Sequence, residues 1–213
     1  MKSFKLILEE AGDYPKTVAA VHKNLSQHYH FLDNHHENHE EHHEAINKYT
    51  DDSTDLNEHL WETHKGARMK GGHPYSELLD KETKRMDAAL NYHKTPHPIT
   101  VYSGTKMDPR QHINKEGIVK HPAYLSTSLD KNIAKAFARS HAVSSDNHIL
   151  KIDVPKGHKG AYVAHIGGLS KEKEFILPRG LNMKIKSTSK RNEINKITKR
   201  KETYLIHHVS IVD

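Results

Sequence analysis

Three short segments of the chain carry side chains whose types and spacing suit catalysis. Residues 126–128, Ser-Thr-Ser, place three hydroxyl groups at the end of an apolar stretch. Glu172 and Glu174 place two carboxylates two residues apart at the head of another. Residues 102–104, Tyr-Ser-Gly, end a third. Carboxylates and hydroxyls of this kind act as general bases, as stabilisers of developing positive charge and as hydrogen-bond partners of a ligand.

The two glutamates have a structural as well as a functional interpretation. Side chains alternate between the faces of a strand, so Glu172 and Glu174 are expected to point to the same side. Like charges at that spacing repel each other, and strands disfavour glutamate. The alternative is an exposed strand edge that Lys171 and Lys173 neutralise from the other face. Hydroxyl triplets are likewise common at strand ends and helix caps, so neither segment is specific alone.

The order and separation of the three segments are more specific than any one of them. Together they resemble the arginine-type mono-ADP-ribosyltransferases (the R-S-E class), whose pattern is aromatic-Arg-Gly, then Ser-Thr-Ser, then Glu-x-Glu. The string 173–180, Lys-Glu-Phe-Ile-Leu-Pro-Arg-Gly, looks most like the bacteriophage and binary-toxin branches. The resemblance covers residues 76–213. Residues 1–75 show no further resemblance, except that members of the family often carry extra N-terminal helices.

The resemblance implies an enzyme that cleaves NAD, its co-substrate, and transfers ADP-ribose to an acceptor without a metal. Glu174 would hold the ribose 2′-hydroxyl and face the positive charge that develops as the nicotinamide–ribose bond breaks. A carboxylate fixed there stabilises the transition state more than the ground state. Glu172 would meet the nucleophile, and a carboxylate suits the planar, cationic guanidinium of an arginine on a host protein. Ser126 would hold Glu174 by a hydrogen bond, with Ser128 on the same face and Thr127 pointing away.

One element departs from the family pattern. Ser103 stands where the family has the arginine that binds the NAD diphosphate in bidentate fashion. Another cation can replace it, Ser103 and nearby backbone amides between Tyr102 and Gly104 can hold the phosphates, or the fold binds NAD without catalysis. The candidate cations are Arg110, Lys106 and Arg179.

The aromatic side chain that stacks on nicotinamide is also open. Phe137 follows the Ser-Thr-Ser segment but is expected on the apolar face of a helix, which favours a place in the core. Tyr102 and Tyr162 are the other candidates, and each also fits a half-buried strand position.

The chain changes character near residue 97, from polar and helical to short apolar strands separated by turns. Apolar spacing predicts helices over 17–31, 37–49, 54–63, 76–92 and 132–143, the last with Ile133, Ala136 and Phe137 facing inward. Strands are predicted over 99–102, 123–128, 149–154, 162–164, 172–177, 182–185 and 204–212.

This order of elements predicts an α+β fold. The resemblance adds a core of two small mixed or antiparallel sheets around an NAD cleft, preceded by N-terminal helices. Residues 1–75 are then a helical, histidine-rich extension, and residues 76–213 are the catalytic domain.

Composition excludes several classes of protein. There are no cysteines among the 213 residues, which excludes disulfides, thiolate catalysis and cysteine zinc sites. Apolar runs are too short for a signal-peptide core or a membrane span. We therefore expect a protein that acts in the cytoplasm. The simplest case is the cytoplasm of a host cell, into which a phage particle or an injection machine delivers the protein.

Basic residues exceed acidic ones by 33 to 27, giving a net charge of +6. From Lys184 to Lys201 there are eight basic residues and one acid, Glu193. Such a patch attracts acidic or phosphate-rich partners, although a solvated loop is the favoured interpretation. Aromatic residues are few there, so sequence-specific nucleic-acid binding is not expected, but the acceptor protein can be nucleic-acid-associated.

Seven of the 21 histidines fall between His28 and His43. On a helix, His35, His39 and His42 share a face, and imidazoles so spaced can bind zinc, nickel or copper. No second ligand cluster is evident from the sequence, and structural zinc sites usually draw ligands from separate segments. A solvated helix is therefore favoured, and no metal site is predicted.

Overall fold

In the computed structural model of the protein, the described residues are 17–33, 39–64, 74–92, 94–105, 108–140, 146–164, 166, 170–195 and 198–212. Among them, four helices precede the first strand: α1 (Val18–Asp33), α2 (His39–Asp51), α3 (Thr54–His64) and α4 (Pro74–Tyr92). These bounds confirm the predicted helices to within a few residues. None of the described helices is long and apolar enough to span a membrane.

The helices form because each carries an apolar stripe at intervals of three and four residues. The buried members of the stripes are Leu25 and Tyr29 in α1, Ala45, Ile46 and Tyr49 in α2, Leu56 and Leu60 in α3, and Met86, Ala89 and Leu90 in α4. All of them join the main hydrophobic core together with residues of the sheet. The N-terminal helices are therefore packed onto the strand region through shared apolar contacts.

The strands follow in the second half of the chain. They are β1 (Ile99–Thr105), β2 (Ile118–His121), β3 (Leu125–Ser128), β4 (Asp146–Val154), β5 (Ala161–Tyr162), β6 (Glu174–Leu177), β7 (Leu181–Ile194) and β8 (Lys201–Val212). A further helix, α5 (Lys131–Ser140), follows β3. The strands make one mixed sheet in the order β2-β7-β8-β4-β1-β3-β6-β5, in which β4 and β8 are parallel.

The sheet has two unequal parts. The five-stranded part runs from β2 to β1, and the three-stranded part contains β3, β6 and β5. A single pair, Tyr102 with Ser128, joins them. The α+β class is thus confirmed, while the two predicted sheets are joined by that pair into one, and β1 and β3 diverge on either side of it.

The basic stretch is a strand and not the favoured solvated loop. β7 continues through it as far as Ile194 and pairs antiparallel with β8. Residues 186–188 and 190–192 are exposed, so this part of β7 is held by the backbone ladder to β8, whose Tyr204, Ile206 and Val209 are buried.

Helix α5 lies against β1 through small residues. A Cβ on Gly104 would stand 2.3 Å from the Ala134 carbonyl oxygen and 2.5 Å from the Ala138 nitrogen, so glycine is what permits this approach. Ala134 and Ala138 are buried, whereas Ala136 and Phe137 are exposed. The prediction that Ala136 and Phe137 face inward is therefore wrong, and Ile133 is half-buried. Residues 141–143 of the predicted helix lie outside the described residues.

Candidate active site

A cleft of about 520 Å³ opens where β1 and β3 diverge. Its walls come from β1, β3, α5 and the segment around Glu172, and from α2 and α3 on the opposite side. The polar side chains that line it include Tyr49, Asn57, Tyr102, Ser103, Lys120, Ser126, Glu172 and Glu174. Its volume is within the usual range for small-molecule and cofactor sites.

Glu174 is the most deeply placed carboxylate of the cleft. It begins β6, pairs with Ser128 of β3 and is 8% exposed. Burial raises the pKa of Glu174 to about 7, the hydrogen bond from Ser126 offsets part of that rise, and the charge of Glu172 adds to it. Ser126 thus influences Glu174, and its role as the residue that holds this carboxylate stays a prediction. A carboxylate poised in this way changes charge near neutral pH.

Glu172 reaches the same cleft by a route that strand alternation did not predict. It ends a short 3-10 helix, Ser170–Glu172, so its predicted place on the strand is wrong. Lys173 follows with a φ of 48°, in the left-handed region, and this turn of the chain precedes the first residue of β6. Burial raises the pKa of Glu172 as well. The two carboxylates face one cavity because of this turn and not because of the pleat.

The three hydroxyls of the Ser-Thr-Ser segment have different partners. The Ser126 hydroxyl faces the cleft and also shares a hydrogen bond of 3.3 Å with the Tyr49 hydroxyl. Thr127 donates to the Phe175 carbonyl at 2.5 Å, and Ser128 donates to the Glu172 carbonyl at 2.5 Å. Thr127 and Ser128 therefore fix the backbone that carries the glutamates, while the Ser126 hydroxyl lowers the pKa of Glu174.

The Tyr-Ser-Gly segment lies at the end of β1. Ser103 is buried, and its hydroxyl donates to the Ser126 carbonyl at 3.0 Å, which ties β1 to β3 beside the cleft. Tyr102 lines the cleft and is half-buried, and Gly104 lies under α5. The serine in place of arginine thus has a structural partner of its own.

Two of the candidate cations are engaged elsewhere. Arg110 binds Asp108 in bidentate fashion, and Arg179 binds Asp87 in the same way. Neither lines the cleft. Lys106 lies outside the described residues. Among the described lysines and arginines, the one that lines the cleft is Lys120 of β2, which sequence reasoning missed because this short strand carries no clear alternation.

The aromatic candidates separate clearly. Phe137 is 42% exposed and lines the cleft together with Tyr102. Tyr162 is buried, and its hydroxyl hydrogen-bonds the His22 ring. It does not line the cleft. The core position that was favoured for Phe137 is therefore wrong, because the alanines of α5 face the sheet instead.

The N-terminal helices supply a wall of the cleft. Tyr49, Asn57 and Trp61 line it, and Asn57 donates its side-chain amide to the Tyr49 hydroxyl at 3.1 Å. The Tyr49 ring also packs edge-on against Tyr124, with centroids 5.6 Å apart. Sequence reasoning missed these residues, since apolar spacing accounts for Tyr49 as a core residue without indicating a ligand.

Comparison with known proteins gives a consistent result. The family model described as "ADP-ribosyltransferase exoenzyme" matches residues 16–212. The chain is 30% identical over 138 residues, 64% of its length, to an NAD(+)--arginine ADP-ribosyltransferase EFV of Enterococcus faecalis. That alignment spans 27% of the enterococcal protein, so the chain matches about a quarter of the curated relative's length.

Solved structures share the fold. Plx2a, an ADP-ribosyltransferase toxin from Paenibacillus larvae, matches with a TM-score of 0.64 and 23% identity, over 92% of this chain and 96% of that one. BECa, the ADP-ribosylating toxin of a binary enterotoxin of C. perfringens, was solved with NADH. It matches with a TM-score of 0.66 and 17% identity, over 92% and 48% of the two chains.

Proposed function

Because the chain belongs to the ADP-ribosyltransferase exoenzyme family, we propose that it cleaves NAD and transfers ADP-ribose to an arginine of a host protein. One observation carries the proposal: two carboxylates, Glu172 and Glu174, line the same cleft, and the Ser126 side chain lines it with them. The relative from Enterococcus faecalis is named for transfer to arginine, which supports this acceptor.

The chemistry follows from charge. When the bond between nicotinamide and C1′ of the ribose breaks, nicotinamide leaves with the bonding electrons and the ribose becomes cationic. The Glu174 carboxylate stabilises that cation most at the transition state. The positive nicotinamide ring of bound NAD also favours the ionised form of Glu174 and so lowers its pKa on binding. Ser126 keeps the carboxylate aimed at the sugar.

The second carboxylate acts on the acceptor. A guanidinium nitrogen of the acceptor attacks C1′, and the proton that it loses passes to Glu172 or to solvent. The Glu172 carboxylate orients the guanidinium by a charge-assisted hydrogen bond. The Ser128 hydroxyl bonds the Glu172 carbonyl, which supports a fixed position for this side chain.

NAD binding is assigned to the walls of the cleft. Tyr102 and Phe137 supply aromatic surface, and Lys120 supplies the positive charge that Ser103 lacks. A lysine acts on a diphosphate as a point charge, without the bidentate geometry of arginine. Thr127, Ser128 and Gly104 shape the backbone around the ligand. Arg110 can bind the diphosphate of NAD only if its guanidinium leaves Asp108 for a phosphate.

A second candidate function is an NAD-binding module without transfer. The observations that favour it are the engaged hydroxyl of Ser103 and the pairing of Arg110 and Arg179 with carboxylates. The first candidate ranks higher, because a buried Glu174 with a raised pKa costs stability that binding alone does not require.

We propose the host cytoplasm as the site of action and the phage or binary-toxin branch as the origin of the chain. The sequence pattern 173–180 and the likeness to BECa support this proposal. The basic strand β7 favours an acidic or nucleic-acid-associated acceptor protein. We keep a boundary near residue 75, with the N-terminal helices as a wall of the catalytic unit.

Mass spectrometry tests the proposal. The purified chain is incubated with NAD and a small guanidine compound, a small amide or a host lysate, and released nicotinamide and the added ADP-ribose mass are followed. Wild type is expected to release nicotinamide and to modify the guanidine compound and arginine residues. Modification of the amide alone would remove the arginine assignment.

Glu172→Gln separates the two carboxylates. It is expected to retain nicotinamide release through hydrolysis of NAD while transfer to the guanidine compound falls by about tenfold or more, because the base and the charged partner of the acceptor are lost. Glu174→Gln is expected to lose both. Calorimetric binding of NAD by wild type with no release of nicotinamide would favour the non-catalytic module.

A further inference from the structure

A second cluster of chemically capable side chains lies apart from the glutamates. Asp108 follows β1, His148 is near the start of β4, and His207 is in β8. One potential ligand atom from each lies within 4.8 Å of the other two. His148 and His207 are 4% and 0% exposed. These three residues are brought together from separate segments, 40 or more residues apart in the chain.

The sheet register explains why the two histidines meet. β4 and β8 are parallel, with His148 opposite Leu205 and Leu150 opposite His207. The two histidines are therefore diagonal neighbours on one face of the sheet. The His148 Nδ1 and His207 Nε2 atoms are 3.1 Å apart, and the rings are stacked at 15°. Two imidazole nitrogens bound to one tetrahedral zinc, each at about 2.0–2.1 Å, would be about 3.3–3.4 Å apart.

The outer partners of the cluster also suit a metal site. The other ring nitrogen of His207, Nδ1, hydrogen-bonds the Thr188 hydroxyl at 3.0 Å, which holds the ring in its orientation. When Nδ1 donates to that hydroxyl, Nε2 is left as a lone-pair donor. Metal-binding histidines are usually oriented by such a second contact. Both rings are buried, and burial lowers the pKa of His207 and of His148.

Asp108 completes the donor set. Three N–H groups of Arg110 point at its carboxylate, which keeps it ionised and fixed in orientation. These groups make four hydrogen bonds with the two carboxylate oxygens, because the Nε–H group is shared between Oδ1 and Oδ2. A metal bound to one oxygen would therefore take the place of one shared Nε contact. The Arg110 hydrogen bond is also the main cause that holds the pKa of Asp108 at about 2.

We propose that His148, His207 and Asp108 form a binding site for a divalent metal of the zinc class, with water in the fourth position. Two imidazoles and one carboxylate are a donor set that zinc prefers. The site is separate from the transfer chemistry, which needs no metal. It joins the segment after β1 to β4 and β8, and Pro109, next to Asp108, lines the cleft, so a metal here would brace one wall of the NAD site.

A direct hydrogen bond between the two histidines is the competing arrangement. It requires a proton on either His148 Nδ1 or His207 Nε2, which a metal would displace. Titration with Zn²⁺ and Co²⁺ distinguishes the two, because Co²⁺ in a tetrahedral nitrogen and oxygen site has strong visible absorption. Zinc bound to the folded state alone also raises Tm.

The histidine-rich segment near residues 28–43 adds background binding, so the test compares variants of the full chain. Wild type and the neighbouring control His208→Gln are expected to bind one Zn²⁺ more than His207→Gln and to give the tetrahedral Co²⁺ spectrum. Because His207 is fully buried, Asp108→Asn at a half-buried position is the second variant, and circular dichroism checks that each is folded. Asp108→Asn is expected to lose the spectrum as well.

Thr188→Val sharpens the assignment, since it keeps the shape of the side chain and removes only the partner of His207 Nδ1. Loss of such a partner is expected to weaken zinc binding about tenfold. Equal zinc stoichiometry and identical Co²⁺ spectra in wild type, His207→Gln and Asp108→Asn would overturn the proposal and leave the hydrogen-bonded histidine pair.

Discussion

The two parts of the sheet are built differently. In the five-stranded part, β7 and β8 pair from Asn182–Val212 to Ile194–Lys201, and β4 is paired along its length with β8 and β1. In the three-stranded part, β3 and β6 pair over four residues, and β5 adds two. The proposed catalytic residues Ser126 and Glu174 belong to the smaller part.

In the smaller part, hydrogen bonds from side chains compensate for the small number of paired residues between its short strands. Thr127 and Ser128 bond the backbone carbonyls of Phe175 and Glu172, and Ser103 from the larger part bonds the carbonyl of Ser126. A short strand can therefore hold a carboxylate as firmly as a long one, provided that its hydroxyls face the neighbouring backbone. We expect stability to depend mainly on the larger part and catalysis mainly on the smaller.

The sharpest test of this division is Glu174→Gln. Removing a carboxylate that stabilises the transition state is expected to lower kcat by about 10²–10³-fold. Released nicotinamide measures the effect. The variant is expected to remain folded, because no buried ion pair to Glu174 is broken in the part of the chain that the structure describes.

The same variant has a predictable effect on stability. The pKa of Glu174 is raised from 4.5 to about 7 in the folded state, so the folded state binds a proton at Glu174 more tightly than the unfolded state does. The stabilisation is full below about pH 4.5 and is lost as the pH rises through about 7. At pH 8, Glu174→Gln is expected to be more stable than wild type by about 1–3 kcal/mol in urea unfolding. Lower stability at pH 8 would contradict the burial of the charge.

Gly104→Ala tests the larger part. The added Cβ meets backbone atoms of α5 at 2.3 and 2.5 Å, and the helix must shift away from β1. Urea unfolding is expected to show a loss of about 2–3 kcal/mol, with activity falling at temperatures where the fold still holds. The matched control is Ala136→Gln on the exposed face of α5, expected to change stability by about 0.5 kcal/mol or less. Equal effects of the two variants would show that α5 does not depend on this contact.

Ser126→Ala tests the join between the two parts. The Ser126 hydroxyl lowers the pKa of Glu174, so its removal raises that pKa and leaves less ionised carboxylate at pH 7. We expect kcat to fall by about tenfold at pH 7 and the acidic limb of the pH–rate profile to move to higher pH. Ser187→Ala on exposed β7 is the control. A lower kcat with an unmoved acidic limb would mean that Ser126 acts on the substrate and not through Glu174.

The sequence anticipated the elements whose two faces differ. Helices α1 to α4 and strand β4 have distinct apolar stripes, and their bounds were predicted closely. β7 was anticipated only over 182–185, because most side chains beyond Ile185 are exposed. Its alternation therefore carries no signal, and the strand depends on pairing with β8.

The candidate site was anticipated through its motifs and missed in its geometry. Glu174 and Ser126 were placed by resemblance, and both line the cleft. The turn at Lys173 and the exposed position of Phe137 arise from long-range packing, which local periodicity does not encode. A helix that approaches a strand through glycine must turn its small residues toward that strand, as α5 does at Gly104. This contact was the available signal that Phe137 lies on the exposed side of α5.

Lys120→Gln gives the smallest expected effect and tests whether the larger part supplies a charge for NAD binding without taking part in catalysis. Lys120 lies in β2, the outer strand of the larger part, and lines the cleft. If its charge contacts the diphosphate, the variant raises KM for NAD by about three- to tenfold with kcat unchanged. The dependence of KM on salt should also weaken, because one screened attraction is gone. Lys115→Gln, exposed and away from the cleft, is the control. A fall in kcat at constant KM would instead place Lys120 in catalysis, and the division of labour between the two parts of the sheet would fail at that residue.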